Sequence, residues 1–426
     1  MTENNEAIFE QAVAVLRAND RGSYTVPTEG LYPFQWNWDS CLTALGQSHY
    51  DEQRAWIEIE TLFAHQWPDG MVPHIVFHVE SDGYFPGPKV WSTNRPVPTS
   101  GITQPPVAGF AIKRLFERAR NRPLAERYAR SLLAKVDAWH HWFYANRDPH
   151  GDGLVAILHP WESGRDNSVD WDAALARVPT DGVEPYVRRD TQHADPAHRP
   201  TQAQYDRYLW LVQRFRGLGW NNNLLHDASP FRVVDPGFNA ILIRSAADLA
   251  DVAEALGEHR IATDNRARAA AGRTALETLW SESHQQYLCF DRATGEVIGN
   301  ASIGGLLPIF AGLDVSRAAE LGRTIAAQMA AVRYGVASEN PADPRFEAKR
   351  YWRGPTWLVT NYMIADGLRA AGQHAIAQAI VDASLDLIRQ SGFAEYYDPE
   401  TGEPCGGTQF SWTAAMVIEF LAAGAE

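Results

Sequence analysis

Amphipathic helical periodicity runs through almost the whole chain and constrains its fold more than any other feature. The clearest stretch starts at Asp235, a good helix cap, with Pro236 suited to the first helical position. Phe238, Ile241, Leu242, Leu249, Val252, Ala253 and Leu256 then form one apolar stripe, and Gly257 supplies a stop. Ile8, Phe9, Ala12, Val13 and Leu16 repeat the spacing near the N-terminus. The pattern predicts further helices over 37–48, 51–66, 106–120, 124–146, 202–218, 260–283, 316–331, 355–372, 375–391 and 411–423. Shorter ones are predicted near 168–177 and 303–313. One segment, Tyr287 to Ile298 with a turn at Ala293-Thr294-Gly295, reads as a β-hairpin.

No Pro/Ser/Gly linker divides the 426 residues, so the expectation is one all-α domain over 1–426 built from helical hairpins. A closed barrel, a bundle and an open solenoid each bury that many apolar faces, and periodicity does not choose among them. Long irregular insertions are expected near 67–105 and 177–200, with another over 334–354. Loops of this length in a domain usually carry function, and these are rich in aromatics and arginines.

Charge removes one class of partner. Lys and Arg total 38 against 52 Asp and Glu, a net charge of -14, whereas a nucleic-acid binder needs a basic face. Three cysteines, Cys41, Cys289 and Cys405, show no metal spacing and argue for a reducing compartment. No leader pattern opens the chain, and no apolar run approaches the roughly 18 residues of a membrane span. The expectation is a cytoplasmic protein with no membrane partner; self-association is left open. Phosphate-loop, dinucleotide, zinc-peptidase and esterase motifs are absent, so neither cofactor nor metal is expected. Asp148-Pro149-His150-Gly151-Asp152-Gly153 begins like a calcium loop but has no acid at the twelfth position, and reads as a turn.

The 15 tryptophans are the unusual part of the composition. Many of them fall in four loop segments that also hold carboxylates. These are Tyr32-Pro33-Phe34-Gln35-Trp36-Asn37-Trp38-Asp39, the run from His159 to Ser168, Tyr351 to Trp357, and Glu395 to Pro399 with Gly406-Gly407 and Phe410-Ser411-Trp412. Each precedes a predicted helix, which suits four segments meeting at one rim. Indole faces stack on the C–H face of a sugar, and carboxylates hold its hydroxyls. Splitting a glycosidic bond needs one carboxyl group that keeps its proton near neutrality and one that stays ionised. An inverting enzyme holds the two about 6.5–9.5 Å apart. Taken singly, Asp39, Asp166 and Asn167 serve equally well as helix caps; Glu395, after a helix end, does not. Asp166 is expected to keep its proton through the like charge of Glu162 and the apolar cover of Trp161.

The segments QWNWDS, HPWESGRDNS, YWRGP and EYYDPETGEPCGG…FSWTAA resemble the signatures of glycoside hydrolase family 63, inverting α-glycosidases with an (α/α)6 barrel. NDRGSYTVP at 19–27, GMVPHIVF at 70–77 and DPGFNAIL at 235–242 add to a likeness to the bacterial mannosylglycerate and glucosylglycerate hydrolases of that group. The resemblance implies Asp166 as general acid and Glu395 as the base that activates water. It implies Tyr32, Gln35, Trp36 and Asp39 around the sugar ring, Trp161 beside the acid, and Tyr351, Trp352 and Trp357 as the facing wall. Gln409 joins the substrate-binding residues. A small anionic aglycone, glycerate, would be met by Arg199 and Tyr205, in R-P-T-x-x-x-Y-D-R-Y, and by Tyr84 and Gln104. Alternatively the loop arginines, Arg188, Arg189 and Arg199, pair with Asp190, Asp195 and Asp206. Arg165 and Gly237 depart from the family pattern, and Arg165 is expected to alter the pKa of Asp166. The implied partner is a small-molecule glycoside. Competing readings are an α-glucosidase of a neutral disaccharide, a sugar epimerase or isomerase, and a non-catalytic sugar-binding protein.

Overall fold

Asp235 caps its helix: its carboxylate accepts from the Gly237 N–H at 2.9 Å, and the helix runs Pro236–Ala255 before Gly257 turns away at φ +76°. This computed structural model describes residues 3–192 and 195–423. The long helices follow the predicted pattern within a few residues. Those of the barrel are α1 (Glu3–Ala18), α2 (Asn37–Gln47), α3 (Glu52–Ala64), α4 (Ala108–Arg118), α5 (Arg122–Arg147), α6 (Pro236–Ala255), α7 (His259–Leu276), α8 (Val315–Ala330), α9 (Leu358–Ala370), α10 (His374–Ser391) and α11 (Ser411–Ala423); the helix predicted at 202–218 forms as Gln202–Gly217 within the connection between α5 and α6.

Burial sorts them into two rings. Every residue of α2 is buried, as is nearly all of α6, α9 and α11, whereas α1, α3, α8 and α10 bury one stripe. A helix buried all round belongs inside a core, and one with a single apolar stripe belongs outside it. The contacts agree. Helices α2, α4 and α6, a 3-10 segment Leu307–Ala311, α9 and α11 pack each on the next, and α11 closes on α2. Around them α1 packs on α11, α3 on α2, α5 on α4, α7 on α6, α8 on the 3-10 segment and α10 on α9. The fold is an (α/α)6 barrel.

Alternation of outer and inner elements decides where the site lies. Returns from inner to outer elements are short: 48–51, 119–121, 256–258, 312–314 and 371–373. Connections from outer to inner elements are long: 19–36, 65–107, 148–235, 277–306, 331–357 and 392–410. The aromatic-carboxylate segments all lie in or at the end of long connections, hence at one mouth of the barrel.

Those connections also hold what periodicity missed. The expected hairpin forms from Cys289–Asp291 and Glu296–Ile298, but it extends a four-stranded antiparallel sheet through Val233–Val234 to Ala156–Ile157. A second hairpin pairs Ala394–Tyr397 with Pro404–Thr408. The predicted helix at 303–313 is two 3-10 turns, Ile303–Gly305 and Leu307–Ala311, and Gly305 packs where a Cβ would stand 2.1 Å from the Tyr287 carbonyl oxygen. The helix predicted to 283 ends at Leu276, and Trp280–Ser281 turns back to pair with Gln286–Tyr287. In the 148–153 turn the Asp148 carboxylate accepts from the N–H groups of Asp152 and Gly153. All three cysteines are free and buried. Among the described residues no His, Cys, Asp or Glu cluster is suited to a metal, and no helix is long and apolar enough to cross a membrane.

Candidate active site

A two-residue strand fixes the first wall. Gln35–Trp36 pairs with Ile75–Val76, and successive side chains on a strand leave by opposite faces. Trp36 faces the cavity at the barrel mouth. Gln35 points away: its Nε2 donates to Ser40 Oγ at 3.0 Å and to the Glu58 carbonyl at 3.2 Å, and its Oε1 meets His78 Nε2 at 2.7 Å. Gln35 therefore belongs to a buried network behind the wall, not to the expected sugar site. Trp36 occupies the cap position of α2 without any side-chain cap, so Asp39 falls in the first helical turn and lines the cavity. The capping reading of Asp39 is displaced.

The other segments complete the walls. Tyr32, Tyr84, Trp161 and Tyr351 line the cavity with Trp36, as expected. Tyr84 stands edge-on to Trp36, ring centroids 5.4 Å apart. Trp352 and Trp357 do not reach the opening. They stack on each other at 3.9 Å, and Trp357 stacks on Tyr396 at 4.5 Å, forming a layer behind Tyr351 and Trp38. Gln409 is also outside: it is exposed, and its carbonyl accepts from Asn19 Nδ2. Trp38, His74, Phe85, Phe410 and Trp412 also line the cavity; Trp38 and Trp412 are among the tryptophans of the segments expected at the cleft, whereas His74, Phe85 and Phe410 had no individual site role. Trp38 and Trp412 sit inside the quoted segments and His74 inside GMVPHIVF, so the signal was present. Burial beside His159 lowers the His74 pKa to about 3, leaving a neutral imidazole.

Four carboxylates line the same space: Asp39, Asp166, Asp190 and Glu395. Glu395 lies on the strand Ala394–Tyr397, and the facing Gly406-Gly407 pair makes room for it. A Cβ on Gly406 would sit 2.3 Å from Glu395 Oε2, and the Gly407 N–H donates to that oxygen at 2.9 Å. The Tyr32 hydroxyl donates to Glu395 Oε1 at 3.2 Å, and Arg199 Nη1 lies 4.0 Å from the same oxygen. Burial raises the Glu395 pKa, while Arg199 and these donors oppose the rise by holding the charged form.

Asp166 has no such help. Among the described residues no side chain donates a hydrogen bond to its carboxylate; the Tyr208 hydroxyl holds its backbone carbonyl instead, at 2.8 Å. Burial, with Glu395 and Asp190 adding like charge against the pull of Arg199, raises Asp166 from 3.8 to about 7. The expected source of like charge, Glu162, is not involved: it pairs with Arg147 at 3.0 Å and accepts from the Leu158 N–H. Arg165 is not involved either. It turns inward to Asp170 at 2.8 Å and Asp235 at 3.0 Å, tying the acid-bearing loop to the start of α6. Asp39 is raised well above 3.8, by burial first and then by Glu395, Glu58 and Asp166.

The remaining expected residues gather on one side. Gln104, Arg199 and Tyr205 line the cavity, joined by Arg189 and Asp190. Arg199 Nη2 donates to the Tyr32 hydroxyl at 3.0 Å, its Nε to Asp190 at 3.3 Å, and its guanidinium lies 4.0 Å from the centroid of the Tyr351 ring. Gln104 Oε1 accepts from the Trp38 N–H, and the Tyr205 hydroxyl donates to the Phe85 carbonyl.

Three comparisons bear on this geometry. Residues 32–413 match the mannosylglycerate hydrolase MGH1-like glycoside hydrolase domain. The chain is 48% identical to mannosylglycerate hydrolase MGH1 of Selaginella moellendorffii, over 97% of this chain and 85% of that one. It is 34% identical to a glucosylglycerate hydrolase of Mycolicibacterium hassiacum, over 96% and 97% of the two chains. Among solved structures it matches a family 63 mannosylglycerate hydrolase of Thermus thermophilus in complex with Tris and D-glycerate, with a TM-score of 0.93 and 46% identity, covering 96% of this chain and 99% of that one.

Proposed function

We infer, from the premise that this chain belongs to the mannosylglycerate hydrolase MGH1-like glycoside hydrolase family, that it hydrolyses an α-glycoside of glycerate, mannosylglycerate or glucosylglycerate, to hexose and glycerate. The observation that carries the mechanism is the unequal support of two buried carboxyl groups. Asp166, pushed to about 7 and lacking side-chain donors, holds a proton near neutrality. Glu395, with a guanidinium, a backbone N–H and a tyrosine hydroxyl around it, is the one kept ionised.

In this reading the hexose lies against Trp36, with Asp39 at its hydroxyls. Asp166 delivers its proton to the glycosidic oxygen as the bond to the anomeric carbon breaks. Glu395 takes a proton from a water that attacks that carbon from the opposite face, giving the β-anomer from an α-substrate. Glycerate leaves toward Gln104, Tyr84, Arg199 and Tyr205. The whole chain acts as one catalytic domain, working in the cytoplasm to recover carbon from a stored solute. An isomerase on the same barrel would want paired histidines in the cleft, whereas among the described residues His74 alone lines the cavity.

The test is a hydrolysis panel of mannosylglycerate, glucosylglycerate, trehalose and kojibiose at pH 6–7. The reading expects turnover of at least one glycerate glycoside well above both neutral disaccharides. Preference for trehalose or kojibiose would replace it with a neutral-disaccharide hydrolase.

A further inference from the structure

A carboxyl group that must keep its proton is poorly served by donors to its own oxygens, because each such donor favours the ionised form. Asp166 lines the cavity without one, and the turn that carries it is held through its backbone instead. Three consecutive carbonyl oxygens accept from three side chains. Trp171 Nε1 donates to the Arg165 carbonyl at 2.7 Å, the Tyr208 hydroxyl to the Asp166 carbonyl at 2.8 Å, and Arg353 Nη1 to the Asn167 carbonyl at 3.4 Å. Arg353 is chiefly engaged elsewhere, with both oxygens of Asp172 at 2.8 and 3.0 Å. Tyr208 comes from the helix Gln202–Gly217, and among the described residues its hydroxyl has no partner but Asp166. It is fully buried and stands behind the cavity wall. Its ring packs against His159 and Trp161, centroids 5.8 and 5.5 Å away. Its own carbonyl accepts from His159 Nε2 at 3.0 Å, while His159 Nδ1 accepts from the Trp161 N–H at 3.0 Å. Burial lowers the His159 pKa to about 3, so that ring is neutral and carries its one proton at Nε2.

We propose that Tyr208 is a positioning residue for the general acid: by holding the Asp166 backbone carbonyl, its hydroxyl sets where the Asp166 carboxyl stands against the glycosidic oxygen. The proposal rests on the role of Asp166 inferred above and adds a residue to that machinery. The hydroxyl donates to a peptide oxygen and leaves the carboxyl oxygens alone, so it gives the acid a place without favouring its ionised form. Only the two side-chain torsions of an aspartate separate the held backbone from the carboxyl, so the backbone decides most of its reach. Proton transfer needs the acid within hydrogen-bond reach of the leaving oxygen, and a misplacement of about 1 Å can cost about 10²-fold in rate. The tyrosine is itself held at its ring and at its carbonyl, which makes its hydroxyl a fixed point. A tyrosine buried for packing alone would also need an acceptor for its hydroxyl, and the two roles differ in which substrates they affect.

The experiment compares two substrates in three proteins. The substrates are the glycerate glycoside that the wild type turns over and the α-glycosyl fluoride of the same hexose, whose fluoride leaves without needing a proton. The proteins are the wild type, Tyr208→Phe and Asp166→Asn. The proposal expects Tyr208→Phe to lower kcat for the glycerate glycoside about tenfold or more, with KM little changed, while kcat for the fluoride stays within about twofold of the wild type. Equal losses on both substrates overturn the proposal, since they mean general support of the site, and so does no loss on either, since the hydroxyl is then idle. A second readout is the pH at which kcat/KM for the glycoside falls. It is expected to stay in place in Tyr208→Phe; a shift of about 1 pH unit or more makes Tyr208 a group that sets the charge of Asp166 and overturns the positioning role. Asp166→Asn separates the two levels of failure. If it too loses equally on both substrates, the assignment of Asp166 as the acid falls, and not only the part given to Tyr208.

Discussion

Arg199 Nη1 stands 4.0 Å from Glu395 Oε1, close enough to favour the charged carboxylate against the effect of burial and too far to be its hydrogen-bond donor. That nitrogen is buried and has no hydrogen-bond partner among the described residues, so its effect on Glu395 is chiefly that of a charge.

The same charge opposes the rise at both proposed catalytic carboxyl groups, Asp166 as well as Glu395. Removing it raises both pKa values. On the proposed mechanism the rising limb of the kcat/KM profile follows deprotonation of Glu395, and the falling limb follows deprotonation of Asp166. Arg199→Met is therefore expected to move the entire bell to higher pH, by about 1 pH unit or more. A profile recorded from pH 4 to 9 checks this; a bell that merely shrinks in place would count against the electrostatic role.

Asp166 carries a second, thermodynamic signature. Its folded pKa of about 7 lies above the reference 3.8, so the folded protein binds the extra proton between those values. Its contribution to stability is fully present below about pH 4 and is lost as pH rises through about 7, a difference of about 4 kcal/mol. Asp166→Asn, which has no charge to bury, is expected to melt higher than the wild type at pH 8 and level with it at pH 4. The same variant is expected to lose about 10²–10⁴-fold in kcat on substrates with poor leaving groups. Thermal melts at the two pH values and single-turnover kinetics decide the matter.

Arg165 tests the scaffold apart from the chemistry. Its guanidinium bridges Asp170 and Asp235, both buried, and fits because Gly304 has no side chain: a Cβ there would stand 2.2 Å from Arg165 Nη2. Arg165→Met strands two buried carboxylates and is expected to cost about 3–5 kcal/mol in urea unfolding. Gly304→Ala should lose stability in the same assay by crowding the same group. Wild-type stability in both variants would remove the clamp.

The helices were legible because amphipathic faces repeat over many residues, whereas their closure into a barrel was implied by the family resemblance. The helix from Asp235 announces its cap, its stripe and its stop in sequence, and the structure keeps all three. The site was legible as a set of segments, less so residue by residue. Gln35 and Trp36 are neighbours in a motif, yet a two-residue strand sends them to opposite faces, and nothing in the string QWNWDS sets that parity. Tyr351 and Trp352 divide in the same way: Tyr351, at φ +38°, faces the cavity and Trp352 drops behind it onto Trp357. Arg165 departs from expectation because adjacency in sequence to Asp166 is not adjacency of side chains; its partners, Asp170 and Asp235, lie on the far side of the loop. The high pKa of Asp166 is as expected, but its like-charged neighbour is not Glu162. Glu395 is 229 positions away, and only the barrel brings it near.

The most direct test of the central claim is proton NMR of α-mannosylglycerate and α-glucosylglycerate during the first minutes of hydrolysis by the wild-type protein, before mutarotation scrambles the product. The account predicts that the β-hexose and glycerate appear together, with the α-anomer growing in later. Hexose released first as the α-anomer would contradict direct attack by water activated at Glu395, and the absence of free hexose from both substrates would contradict the function itself.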